Sequence, residues 1–290
     1  MNLDRSFVYA MLAVLFWSTV ASAFKLSLKS LNYLQLLFYA SLTSLIIFTI
    51  ALAKEGRLKA VGRKENLYSA LLGAINPFLY YIVLFKAYSL LPAQEAQALN
   101  YTWPIMLSLL SIPLLKQKIT TNQILGVFIS FAGVLVVATR GHLLSLSFRD
   151  PVGTVLGLGS AVIWASYWVL NLRDGRESTV KMFWNFVFGF LYTALLIIST
   201  HQFIIPGIKA LSGAVYVGFF EMGLTFLVWL KALETAETTA TVANLIYLTP
   251  FLSLVLIHFL VGERILLSTV FGLFLIVSGI FVGRWRNYKY

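Results

Sequence analysis

The chain has 290 residues, 59% of them hydrophobic and only 11% charged, about half the ~25% charged share of a soluble domain. It contains no cysteine, which excludes disulfides, thiol catalysis and Cys-ligated metals. Its net charge of +11 is scattered over short connections with no basic stripe on a soluble face, so no nucleic-acid partner is expected.

The first element runs from Ser6 to Phe24, 19 residues without a charge, enough to cross a hydrocarbon core ~30 Å thick as a helix. Arg5, the apolar run and Ala21-Ser22-Ala23 mimic a secretory leader. The surroundings of Trp17 (AVLFWS) return as AVIWAS around Trp164, so the segment reads as the first helix of a repeat. Spans over 34–53 and 67–85 follow, the latter with Asn76-Pro77 near its middle. The fourth, 96–115, has a polar face. Gln94, Gln97, Asn100, Tyr101 and Pro104 recur at spacings of three and four. Such a face suits either a zwitterionic or polar ligand or bridging between packed helices. The fifth, 122–139, carries Gly126 and Gly133.

The sixth, 151–172, combines a small-residue face of Gly153, Gly157 and Gly159 with Trp164 and Trp168. After 182–200 comes 210–230, with Glu221 near its midpoint. An acid there costs ~2.5–3.5 kcal/mol on insertion scales. It is either a proton-titrating or cation-binding carboxylate facing a cavity, or an acid satisfied by a neighbouring helix. The ninth, 238–262, offers Thr241, Asn244, Tyr247 and Pro250, and the tenth, 265–283, carries Gly272 and Gly279. The apolar runs are too long, and alternate too little, for strands. The expected fold class is an all-α integral membrane protein of ten transmembrane helices.

These elements repeat. Gly126 and Gly133 return as Gly272 and Gly279, and Tyr101 and Pro104 as Tyr247 and Pro250, all displaced by 146. Asn76 and Glu221 are 145 apart, and Trp17 and Trp164 are 147 apart. One five-helix unit is therefore expected over 1–145 and a second over 146–290. Five is odd, so the second unit enters the membrane inverted, an arrangement that supports alternating access to a site between the halves. Grouping alternate loops with the amino terminus puts 15 of the 22 Lys and Arg residues on one side. Positive residues are retained inside, so a multi-pass protein of the cell membrane with both termini cytoplasmic is expected.

The layout, the FWS and IWAS tryptophans, the Tyr-x-x-Pro of each fourth helix and the G-x-x-x-x-x-x-G of each fifth resemble the drug/metabolite transporter superfamily, in particular its EamA-type exporters. Gly262-Glu263 stands where that family places a Gly-Glu before its last helix. The first half departs from the pattern, with Lys116-Gln117-Lys118 instead. NYTWP and IWASYWVLN are most similar to the aromatic amino acid exporters. The resemblance implies export of a small organic metabolite.

From the residues themselves, a secondary transporter accounts for the duplication and for the central polar side chains. A passive channel or facilitator is an alternative, though no filter-like loop or ring of charge is visible. A membrane-embedded transferase is poorly served, because Asp4, Asp150 and Asp174 all lie outside the spans. His142, His201 and His258 are too scattered for a metal site, and no G-x-x-x-x-G-K phosphate loop occurs. No enzyme activity, cofactor or metal is expected. The candidate substrate-binding residues are Trp17, Asn76, Gln97, Asn100, Tyr101, Trp164, Trp168, Glu221, Asn244 and Tyr247. An aromatic amino acid or related amine would suit them. Trp103 and Trp184 are left open. Glu234 and Glu263 read as solvated, and Lys86 and Lys231 as snorkelling from helix ends. The glycine faces of the fifth and tenth helices suit a scaffold or a dimer surface, so a monomer or a homodimer is expected.

Overall fold

In hydrocarbon a backbone N–H or C=O has no water to bond, so a long apolar stretch satisfies itself by coiling. The computed structural model describes residues 5–56, 63–115, 120–144, 148–171, 173–236 and 245–284, and among them it contains helices and no strand. Helix α1 is Arg5–Ser27 and α2 is Tyr33–Lys54. Next come α3 (Arg63–Gly73), α4 (Tyr80–Leu90), α5 (Ala93–Asn100) and α6 (Trp103–Leu115). After α7 (Thr121–Ala138), the chain forms α8 (Pro151–Asn171), α9 (Ser178–Ser199), α10 (Ile208–Val217) and α11 (Leu224–Thr235). The last two are α12 (Thr249–Leu256) and α13 (Leu267–Arg284). Starts are fixed by side-chain caps. Asn32 with Gln35, and Thr120 with Gln123, form reciprocal capping boxes, and Glu177 accepts from the first turn of α9.

Seven segments are long and apolar enough to cross a membrane, and Ile246–Val261 and Leu267–Gly283 are shorter apolar helices. The expected fourth span divides, because a turn at Tyr101 and Thr102 separates α5 from α6. Two of the seven are interrupted halfway. A π turn over Ala74–Leu79 joins α3 to α4, and another over Gly218–Gly223 joins α10 to α11. In the first, Asn76 is extended (φ −145°, ψ 123°) and Pro77 has no N–H to give. The two interruptions hold Asn76 and Glu221, the pair related by 145 positions.

Helices from the two halves of the chain pack on each other. Helix α1 lies against α11, α8 against α4, and α2 against α9. Gly73 abuts the Asn185 carbonyl on α9, and Gly218 abuts the Ala40 carbonyl on α2. A Cβ on either would overlap that backbone oxygen. The longest seam joins α7 to α13. There Gly126 sits on the Gly279 carbonyl and Gly133 on the Gly272 carbonyl, and Ser130 donates to the Ile276 carbonyl at 3.0 Å. The glycine pairs thus close on each other within one chain. In α8, Gly153 and Gly157 receive Leu91 and Leu99, whereas Gly159 faces open space.

This contrast is testable. Gly126→Leu or Gly279→Leu should destabilise the protein by at least ~1–3 kcal/mol, the usual cost of overpacking. Gly159→Ala should be neutral or stabilise by up to ~1 kcal/mol through helix propensity. Thermal unfolding in detergent checks both. Equal effects at the three positions would rule out the seam.

Candidate functional site

Helical spacing gathers aromatic side chains around one central cavity of about 470 Å³. Trp17 and Phe24 come from α1, Tyr80 and Tyr88 from α4, Trp164 and Trp168 from α8, and Phe226 and Trp229 from α11. Each pair is spaced at three, four, seven or eight, so it projects from one helix face. Trp164 stacks on Tyr80 with centroids 4.6 Å apart and 29° between planes. Trp17 meets Trp229 at 5.6 Å and, edge-on, Phe226 at 5.9 Å. The wall is completed by Gln97 and Asn100 of α5, then Tyr101, Trp103 and Leu107, and by Ile246 and Tyr247 from the far half of the chain.

Glu221 is the acid of this cavity, 8% exposed. The Tyr81 hydroxyl donates to its Oε1 at 3.1 Å. The Trp17 indole N–H donates to the Glu221 backbone carbonyl at 3.3 Å, answering an acceptor at the helix interruption. Elsewhere on the wall Asn100 Nδ2 donates to the Ser160 hydroxyl at 2.9 Å and lies 3.3 Å from the Tyr80 hydroxyl. Gln97 is 4% exposed, and its carbonyl oxygen has no partner among the described residues.

Of the ten expected site residues, Trp17, Gln97, Asn100, Tyr101, Trp164, Trp168, Glu221 and Tyr247 line the cavity together. Asn244 lies outside the described residues. Asn76 is fully buried but is not part of the cavity wall. It sits beside the Tyr167 hydroxyl, which also receives the Asn185 amide at 3.1 Å. The extended backbone at Asn76 and the packing of the turn on α9 place it there. Trp103 joins the wall. Trp184 stays on α9 with Phe183 and Phe188. The aromatic wall residues that sequence reasoning missed are Phe24, Tyr80, Tyr88, Phe226 and Trp229. Tyr80, Leu84 and Tyr88 recur every four residues just after Pro77, a period that was available to be read.

Charge-assisted bonds cluster where α4 gives way to α5, beyond the cavity residue Tyr88. Lys25 donates to the carbonyls of Tyr88 and Leu91 at 2.8 and 2.6 Å, where α4 ends and its acceptors lack helical donors. Glu263 accepts from the backbone N–H of Ala93 at 2.7 Å and of Gln94 at 3.4 Å. It therefore caps α5, correcting its reading as a solvated acid. The Gln94 side chain donates to the Arg264 carbonyl and accepts from Leu266 N–H at 2.9 and 3.1 Å. Gln94 consequently faces this end and not the cavity. Arg140 donates to Glu95 at 2.5 Å. At the other end Arg176 binds Asp174 and the Ser69 hydroxyl, each at 2.6 Å. Burial alone would raise the Asp174 carboxyl, but its bonds to Arg176 prevail and hold it below the ordinary carboxylate range. Glu234 pairs with Lys231 at 3.1 Å on the surface, and Lys86 lies over the Tyr33 ring.

The absence of native cysteine permits a direct test of the seal. A thiol introduced by Leu84→Cys, on the cavity wall, should resist a membrane-impermeant reagent added from the Lys25 end. Adding Glu263→Gln, which removes the charge that caps α5, should speed labelling from that end about tenfold, the effect of ~1.4 kcal/mol. Unchanged labelling would mean that Glu263 does not hold the closure.

Comparison with known proteins agrees with this architecture. The EamA-like transporter family matches the chain twice, over residues 5–139 and 151–283. An uncharacterized transporter of Archaeoglobus fulgidus is 25% identical over 285 residues, 96% of each chain. The aromatic amino acid exporter YddG of Ancylobacter novellus is 24% identical over 251 residues, covering 84% of this chain and 85% of the relative. A solved crystal structure superposes with a TM-score of 0.69 at 20% identity, over 98% of this chain and 99% of the other, a likeness of fold alone. With two matches that together span most of its length, the chain belongs to the EamA-like transporter family and is a multi-pass membrane transporter.

Proposed function

We propose that the chain is a secondary transporter that exports a small organic metabolite by alternating access between two inverted five-helix repeats, residues 1–145 and 146–290. The observation that carries this reading is the cavity, where helices of both halves surround a single carboxylate, Glu221, with aromatic faces and amides. On this reading the bonds made by Lys25, Glu263 and Arg140 close its Lys25 end. Exchanging the conformations of the two units would open that end and close the other. On this reading the chain makes ten crossings of the cell membrane, with the Lys25 end outside. The relative named as an aromatic amino acid exporter supports an aromatic amino acid or related amine as cargo.

Orientation is tested by reporter fusions. The 15-to-7 distribution of basic residues leads us to expect cytoplasmic signal at Tyr290 and external signal between Arg140 and Arg149. External signal at Tyr290 would sink the inverted arrangement.

Glu221 would couple the cycle by mutual exclusion, since a protonated carboxyl no longer pairs with an ammonium. Glu221→Gln keeps the size and the Tyr81 bond while removing the charge. The variant should fold and insert normally, yet lose at least ~10-fold in gradient-driven uptake into proteoliposomes, a range typical of lost charged contacts. Transport that keeps its rate and its pH dependence would reduce Glu221 to a structural acid, leaving the site to the amides and aromatics.

A further inference from the structure

We propose that the cavity selects aromatic amines, organic cations with a flat body, over zwitterionic amino acids. The inference rests on the transporter reading and specifies its substrate class. Its basis is the charge of the cavity wall. Glu221 places one carboxylate there, among the aromatic side chains of Trp17, Tyr80 and Trp164. An ammonium group brings three N–H donors and a full charge, so it can pair with the carboxylate while a flat aromatic body packs among the rings.

A carboxylate finds neutral donors on this wall but no counter-charge. No Lys, Arg or His belongs to the described cavity wall. The basic groups at its sealed end are occupied, Lys25 by the carbonyls of Tyr88 and Leu91 and Arg140 by Glu95. Backbone donors beside the wall are taken as well, with Tyr101 N–H bonded to the Gln97 backbone carbonyl and Thr102 N–H to that of Leu99. The segment 237–244, which precedes Ile246 and Tyr247, contains no basic residue. A zwitterion would therefore bring its carboxylate into a space that already holds Glu221 and offers no counter-charge, a repulsion and desolvation cost that an amine does not meet.

The test uses three ligands with one indole body, namely tryptamine, tryptophan and indole-3-propionate. Binding is read as ligand-induced thermal shift of the purified protein, and transport as counterflow in proteoliposomes. Tryptamine should bind at least about tenfold more tightly than tryptophan, and indole-3-propionate should not compete. Glu221→Gln should erase the preference for tryptamine. If that variant fails to fold, the wild-type ranking alone decides. Tryptophan or indole-3-propionate binding as tightly as tryptamine would overturn the charge selection and leave the transporter reading in place. Binding of none of the three would also overturn it. The transporter reading falls separately, if the reconstituted protein exchanges no member of a wider panel of amino acids and amines.

Discussion

A backbone group set in hydrocarbon must be bonded within the protein, and most of this structure follows from how the chain answers its own departures from that condition. The apolar stretches meet it by coiling. The interruptions at Ala74–Leu79 and Gly218–Gly223 break the helical ladder in mid-membrane, and each is covered by the opposite half of the chain. Helix α9 closes on the first through Gly189 against Pro77, and α2 closes on the second, where Ser44 donates to the Gly218 carbonyl at 2.8 Å. Trp17 answers the Glu221 carbonyl from α1. These contacts at the breaks join the halves alongside their apolar packing.

The same breaks create the chemistry. An intact helix would leave its carbonyls bonded four residues along. Interrupted, it presents Glu221 beside Tyr81, Trp17 and a ring of aromatic side chains. A carboxylate there is costly, and the Tyr81 hydroxyl offsets part of that cost. Asn76 has the equivalent position by sequence but a different role. Its side chain lies beside the Tyr167 hydroxyl, which receives the Asn185 amide, and the extended backbone at Asn76 has no counterpart inside the second break. One break supplies the cavity with its carboxylate, and the other does not line it.

The ends of the cavity use helix termini. The C-terminal carbonyls of α4 attract Lys25 and the N-terminal amides of α5 attract Glu263, each charge matched to the local dipole. Because α4 and α5 also bear cavity residues (Tyr80 and Tyr88 on one, Gln97 and Asn100 on the other), the end contacts and the candidate site share the same two helices. The proposed transport cycle would need such a link for access to depend on occupancy.

Sequence alone determined the membrane class, the twofold recurrence of motifs, and eight of the residues that line the cavity. It did so because hydrophobic length and the rarity of polar groups in hydrocarbon are one-dimensional signals. The tertiary structure decided the rest. Period and offset place Asn76 opposite Glu221, but only the backbone at the break and the packing on α9 direct it to Tyr167. Glu263 reads as a loop acid until α5 is brought to it from 170 positions away. Phe24, Phe226 and Trp229 are indistinguishable in sequence from the many aromatic residues that fill cores or face lipid. Which face of a helix meets a cavity depends on the rotation of its neighbours, and that rotation is set by side-chain contacts far apart along the chain.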